Sequence, residues 1–361
     1  MKQTLRDFLC PQPKSKIKAG DGQLKGAYNF YTSSQIQSKF YHSATYTQPA
    51  LIFGTGGMAS VHYCNEPFST STDCLVMYGR LGAPLELIYY YLRSNMHLLQ
   101  DGFKGAGLQH ISKDYILNIN INMPAPSLQE QITHQMRLID AMINGKKQQI
   151  LSFDEAVKSR FIELFGDPVS NPKDWDVVPL GKRCGIITGN TPSRSEPENY
   201  GEYIEWIKSD NINTPFTFIT KAQECLSEAG FDKCRFVEAG SILMTCIAGS
   251  INCIGNVAVT DRRVAFNQQI NAIVPEQDEV LYLYWLMQLS KPMIHRTINM
   301  ALKGILSKSQ LSEIAFPFPP ITLQEQFATF VEQTDKSKLA VQKGLQELEI
   351  LKKSLMQQYF G

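Results

Sequence analysis

The sequence predicts an α+β chain in which two mixed α/β domains are separated by a pair of long antiparallel coiled-coil helices, the halves related by a pseudo-two-fold internal repeat. Three observations predict it. Leu128-Gln129-Glu130-Gln131 recurs as Leu323-Gln324-Glu325-Gln326, 195 positions later. A run of prolines stands before each copy, and apolar residues at coiled-coil spacing follow each copy.

The offset holds without a gap. Ser112-Lys113 maps onto Ser307-Lys308, Asp140 onto Asp335, Lys158-Ser159 onto Lys353-Ser354 and Phe165-Gly166 onto Phe360-Gly361. Nine identical pairs fall in the 39 positions from 128 to 166, clustered at both ends. The leading prolines are Pro124 and Pro126 in one copy and Pro317, Pro319 and Pro320 in the other. Proline forces the residue before it out of helical geometry yet tolerates the first helical turn, so each run ends a domain and launches a helix.

In the first copy the apolar stripe is Ile132, Met136, Ile139, Ile143, Ile150, Phe153, Val157 and Leu164. The second keeps the register at Phe327, Val331, Thr334, Lys338, Val341, Leu345, Leu348, Lys352 and Tyr359. Helices of about 38 residues would each be roughly 57 Å long at about 1.5 Å rise per residue. A helix with one apolar stripe must bury it, and the simplest partner for each is the other copy. The expected order is a first domain at 1–126, a helix at 127–166, a second domain at 167–321 and a second helix at 322–361.

Composition fits a globular chain, with 43% hydrophobic and 10% aromatic residues in 361. Net charge is only +1, but residues 1–60 carry seven Lys or Arg against Asp7 and Asp21, a local balance of the kind phosphate binding needs. The eight cysteines form no Cys-x-x-Cys pair and no His stands at zinc-finger spacing from them, so reduced, mostly buried thiols are expected. The start lacks the apolar core of a signal peptide, and the apolar runs at 87–92 and 281–287 are too short to span a bilayer, so a soluble, cytoplasmic protein is expected.

Within the first domain, Ala27-Tyr28-Asn29-Phe30-Tyr31 reads as a strand entering the polar turn Thr32-Ser33-Ser34, and residues 85–99 read as helix. Leu51-Ile52-Phe53-Gly54-Thr55-Gly56-Gly57 is a short buried strand with a glycine-rich end. The stretch fits a cofactor loop poorly, because Thr55 stands where a methyltransferase needs glycine and no acidic residue closes a second strand. A turn that lets backbone approach a ligand or DNA is the better use of those glycines.

The second domain opens at Trp175-Asp176-Val177-Val178-Pro179-Leu180. Along it come Thr188-Gly189-Asn190-Thr191-Pro192-Ser193-Arg194, Trp206-Ile207-Lys208-Ser209-Asp210-Asn211, Ser241-Ile242-Leu243-Met244, Ile254-Gly255-Asn256-Val257 and Asn267-Gln268. In this order, with the prolines and the Leu-Gln-Glu-Gln helix behind them, these segments resemble the specificity subunit of Type I restriction-modification systems. Asn190 replaces the family's usual glycine and Asn256 its usual lysine. The first half resembles the family through residues 28–34, 51–57 and 127–131, so the likeness spans essentially the whole chain.

The resemblance implies two target-recognition domains, each reading one half of a bipartite, asymmetric double-stranded DNA site, with the helix pair as spacer. It also implies partners. Two methyltransferase subunits would dock on the helices and domains, use S-adenosylmethionine and flip an adenine. Translocating nuclease subunits using ATP and Mg would join for cleavage. No Asn-Pro-Pro-Tyr, Asp-Pro-Pro-Tyr or Walker lysine motif occurs, so this chain is expected to carry no catalytic, metal or cofactor residues of its own.

Polar and basic residues on predicted loops are the DNA-binding candidates. In the first half Lys14, Lys16, Lys18 and Lys25 suit phosphates, while Tyr31, Thr32, Ser33 and Ser34 suit base edges. In the second they are Thr191, Ser193, Arg194, Lys208, Ser209, Asp210, Asn211, Arg262, Arg263 and Gln268. Lys113 and Lys308 join them as repeat-related positions just before the prolines. The competing reading is a coiled-coil scaffold whose flanking domains bind other proteins; it explains the helices but not the ordered motifs.

Overall fold

The computed structural model describes residues 3–105, 107, 109–298 and 304–361. Lys2, one of the seven cations counted at the start of the chain, lies outside them. The chain forms two compact units, one of residues 1–148 with 341–361 and one of residues 149–340. Each unit thus owns a mixed domain and part of both long helices.

The principal strands of the first unit are β1 (Leu9–Pro11), β2 (Tyr28–Tyr31), β3 (Lys39–Tyr41), β4 (Ala50–Gly54), β5 (Ser60–Cys64), β6 (Phe68–Thr70) and β7 (Cys74–Gly79). An antiparallel sheet of order β1-β7-β4-β5 carries the core, and a smaller sheet of order β3-β2-β6 lies beside it, with β2 parallel to β6. The second unit's principal strands are β8 (Cys184–Thr188), β9 (Ile204–Ile207), β10 (Ile242–Thr245), β11 (Val257–Val259), β12 (Val264–Phe266) and β13 (Ile270–Pro275). Its main sheet runs β8-β13-β10-β11, the same plan, and β9 runs parallel to β12 in the second sheet.

Why β4 is a continuous apolar run follows from its place between two cores. Successive side chains of a strand face opposite ways. Leu51 and Phe53 enter the core shared with helix α1 (Leu85–Ser94), whereas Ala50 and Ile52 enter the smaller core of Tyr31, Tyr46 and Phe68. In the second unit Ile242 and Met244 face the larger core and Leu243 the smaller one, with Ile207 and Phe266. The glycine-rich end of β4 is the hairpin to β5; Gly57 takes φ +79°, and a Cβ on Gly54 would sit 2.9 Å from Ser33 Cα. The helix read over 85–99 is two helices, Leu85–Ser94 and His97–Gln100, because Asn95 leaves helical geometry and its Nδ2 donates to the Tyr91 and Phe360 carbonyls.

The long helices are α2 (Pro126–Phe165) and, after α3 (Val280–Leu289), α4 (Ile321–Phe360), each of 40 residues. They run antiparallel in both units. In the first, Tyr359 Oη donates to Gln135 Oε1 at 2.8 Å and Lys352 bonds Asp140; in the second, Lys338 pairs with Asp154 and Phe327 meets Phe161 edge-on at 5.4 Å. Ile132, Met136, Ile139, Ile143 and Val157 of the stripe are buried, but Ile150, Phe153 and Leu164 are only half so. Phe161, outside the expected seam, is fully buried with Phe165. The last turns of α2 leave the helix pair's register and serve the core of the second unit, where α3 supplies Tyr282 stacked 5.6 Å from Phe161.

The repeated glutamine has a local job. Gln129 Nε2 donates to the Pro124 carbonyl and Gln324 Nε2 to the Pro319 carbonyl, both at 2.9 Å, so each side chain ties its helix to the proline run that launches it. Gln324 is also fully buried against Asp278, whose side chain is 0% exposed and takes a bidentate fork from Arg183 at 2.6 and 2.8 Å. Removing one partner of such a pair leaves a charge with no water to solvate it. Arg183→Met is therefore expected to destabilise the second unit by about 3–5 kcal/mol, measured as a urea midpoint by the fluorescence of Trp175, Trp206 and Trp285, all three tryptophans being in this unit.

Burial pushes the Asp335 carboxyl above its usual range, Lys338 opposing and Asp154 reinforcing the shift. A raised folded-state pKa means the folded state holds the proton more tightly, so this contribution is full below the ordinary carboxylate range and is lost as pH rises. Asp335→Asn is expected to melt above the parent at neutral pH and to converge with it on acidification. A parallel offset at every pH would refute the ionisation argument.

Candidate nucleic-acid interface

Both candidate loop sets leave the same point of the repeated plan. Thr32, Ser33 and Ser34 follow β2, and Lys208, Ser209 and Asp210 follow β9, each strand being the one with a parallel neighbour. In the first unit Ser33 Oγ donates to the Asp73 carbonyl at 2.9 Å and the Ser34 carbonyl bonds His62 Nε2 at 2.8 Å, which fixes the loop against β5. Burial holds the His62 imidazole below its usual pKa. Ser34 is exposed, Thr32 and Ser33 half so, while Tyr31 turns inward, 6% exposed and edge-on to Phe68 at 5.7 Å. Tyr31 is thus a core residue supporting the loop.

Lys14, Lys16, Lys18 and Lys25 are all exposed on the segment between β1 and β2. Residues 12–27 hold these four lysines and one carboxylate, Asp21, a local net charge of +3. Lys113 and Lys308 begin equivalent short helices, each behind a serine N-cap whose Oγ accepts a backbone N–H, at 3.1 Å for Ser112 and 3.2 Å for Ser307.

The second unit is built differently. Residues 189–240 contain five Lys or Arg against nine Asp or Glu, net −4. Four of its candidate cations, Arg194, Lys208, Arg262 and Arg263, are ion-paired. Arg194 and Lys208 share Glu224; Arg262 grips Glu205 through Nε and Nη2 at 2.6 and 2.8 Å; Arg263 meets Glu238 at 2.6 Å. These bonds hold the Glu224 and Glu205 carboxyls below their usual range, with Arg194 and Arg262 the leading causes. The Arg194 guanidinium also lies over Tyr200, 4.6 Å from its centroid, and near Trp206 at 5.3 Å. Thr191 donates to the exposed Gln268, and Ser193 bonds Ser195 at 2.7 Å. Asn211 is 6% exposed and knits its own turn, donating to Thr220 and Lys221 and accepting from Lys208 N. Asn267 likewise accepts from Gln269 N.

Glu224 and Glu205 escaped sequence reasoning. Each lies many residues from the arginine it binds, 30 for Arg194–Glu224 and 57 for Arg262–Glu205, so no local spacing marks the pair.

A module of one plan made twice, with polar loops at matching strand ends and long helices common to both copies, defines a class of internally duplicated α+β protein. The chain belongs to the Type I restriction modification DNA specificity domain family, whose model matches residues 3–152 and 172–350. It is 35% identical over 117 residues to the Type I restriction enzyme HindI specificity subunit of Haemophilus influenzae, covering 31% of this chain and 24% of that protein. To the MjaIX specificity subunit of Methanocaldococcus jannaschii it is 30% identical over 176 residues, covering 45% and 38%. The matches thus span well under half the length of these relatives. In fold it resembles the S subunit of a Type I restriction-modification system from M. genitalium, with TM-score 0.65 at 15% identity, covering 100% of this chain and 96% of that one. Among the described residues no helix is long and apolar enough to cross a membrane, and no group of three or more His, Cys, Asp or Glu is placed to hold a metal.

Proposed function

We propose that this chain is the DNA-reading subunit of a Type I restriction-modification complex. Its recognition domains, 1–126 and 167–321, each read one half of an interrupted asymmetric site, and the helices of 127–166 and 322–361 set the gap and dock two methyltransferase subunits. The observation that carries this reading is the doubling of a family-matched module whose two sheets share one strand order. Because the candidate loops of the two units differ in nearly every residue, the half-sites differ too.

The residues divide by chemistry. Lys14, Lys16, Lys18 and Lys25 neutralise phosphates, Lys113 and Lys308 do so at repeat-related places, and Thr32, Ser33 and Ser34 reach base edges of one half-site. Thr191, Ser193, Arg194, Lys208, Ser209, Asp210, Arg262, Arg263 and Gln268 serve the other. Tyr31 and Asn211 shape the loops from inside. The bond chemistry belongs to partners: S-adenosylmethionine to the methyltransferase, ATP and Mg to the translocating nuclease.

The test is single-molecule sequencing of genomic DNA from the source strain with and without this gene. Loss of adenine methylation at one interrupted, asymmetric motif is the expected result and gives both half-sites. A methylome that does not change, in a strain where the protein co-purifies with an active methyltransferase, overturns the reading.

A further inference from the structure

In the second unit one carboxylate holds two of the cations aimed at DNA. Glu224 receives both Nη atoms of Arg194 on its two oxygens and Nζ of Lys208 on Oε2. Its own position is fixed from the sheet, since its backbone carbonyl accepts from Trp206 N at 3.1 Å. The Trp206 ring then lies 5.3 Å from Arg194 Cζ and 5.0 Å from Lys208 Nζ, so carboxylate and indole together fix both cations. Arg194 is nevertheless 58% exposed, open to an incoming ligand on its free edge. Among the described residues Lys14, Lys16, Lys18 and Lys25 of the first unit have no such holder, and the segment bearing Glu224 is net acidic where theirs is net basic.

We propose that Glu224 sets specificity: it withholds Arg194 and Lys208 from the phosphates of random-sequence DNA and yields them only at a half-site whose acceptors replace both of its oxygens at once. The inference rests on the DNA-reading function proposed above. A lone phosphate must displace a bidentate, charge-assisted pair already formed within the protein, against a local net charge of −4. A guanine edge in register offers two acceptors matched to the same fork, with neighbouring contacts to complete the exchange. Glu224 is a positioning residue that acts through two others. The division of labour follows: the first unit supplies salt-dependent grip on any duplex, and the second withholds its charge until the sequence fits.

The experiment uses the full chain assembled with its methyltransferase subunit, and measures binding to a cognate and a random-sequence duplex over a range of salt. For Glu224→Gln the random duplex is expected to bind roughly ten-fold tighter, with the slope of log affinity against log salt steeper by about 1–2. Cognate affinity changes little, so the specificity ratio falls. Glu224→Asp, which keeps the charge, restores part of the ratio. A second variant does not depend on that site's folding: Arg194→Ala/Lys208→Ala should weaken cognate binding and leave random binding and its salt slope almost unmoved. In that background Glu224→Gln should have no further effect on the slope. Equal losses on both duplexes in the double variant, or an unaltered ratio and slope in a Glu224→Gln protein of parental melting temperature, overturn the proposal. If the parent itself fails to prefer the cognate duplex, the DNA-reading function falls and this inference with it; if the parent discriminates and Glu224→Gln discriminates equally, only the role of Glu224 falls.

Discussion

Adding one heptad to each long helix, after Gln148 and after Ala340, is expected to leave both half-sites unchanged and lengthen the gap between them by about three base pairs. Those are the positions where α2 and α4 pass from one compact unit to the other, so neither core is interrupted. Seven residues add about 10.5 Å to an α-helix and turn it through nearly two whole revolutions, which preserves the apolar stripe. B-DNA advances about 34–36 Å in 10–10.5 base pairs, so 10.5 Å corresponds to about three of them. An insertion of two or five residues would instead turn Val157 and Val331 by roughly 140–200° away from the buried face, along with the rest of their stripe. Methylome sequencing of a strain carrying the variant reads the gap directly. Recognition of the original gap would show that the helices do not measure it.

The second large effect is on stability. Phe161→Ala is expected to destabilise the second unit by about 3–5 kcal/mol. Phe161 is fully buried, stacked on Tyr282 with an interplanar angle of 9° and edge-on to Phe165 at 4.9 Å and Phe327 at 5.4 Å, so truncation leaves a void walled by three aromatic rings. These rings come from α2, α3 and α4, elements far apart in sequence whose side chains are mutually wedged and slow to collapse into the space. Urea unfolding followed by tryptophan fluorescence isolates this unit. Ile162→Ala, one position along the same helix and 39% exposed, is the control, and a change there of about 0.5 kcal/mol or less is expected. Equal effects at the two positions would mean that the last turn of α2 is not part of the core.

How much of this was legible beforehand depends on whether the information was local. The long helices were legible, because proline stops, a repeated Leu-Gln-Glu-Gln start and apolar spacing all act within a few turns. The equivalence of Lys113 and Lys308 was also legible, and each proves to begin a short helix behind a serine cap. The seam was only partly so. Coiled-coil spacing names residues for a partner helix, but Phe161 and Phe165 answer to a third element, α3, which no period of α2 encodes. Tyr31 and Asn211 each border a polar stretch in sequence, Thr32-Ser33-Ser34 and Lys208-Ser209-Asp210, and read as exposed for that reason, yet packing and turn bonds draw both inward.

The sequence by itself determined the duplication, its register of 195, the helical frame and the family, since each is written in residue order and spacing. Tertiary structure alone decided which charges are free. The four lysines of residues 12–27 look no different in sequence from Arg194, Lys208, Arg262 and Arg263. Only folding brings Glu224, Glu205 and Glu238 against the latter group. Charge neutralisation depends on distance in space, and these partners lie 16 to 57 residues apart along the chain.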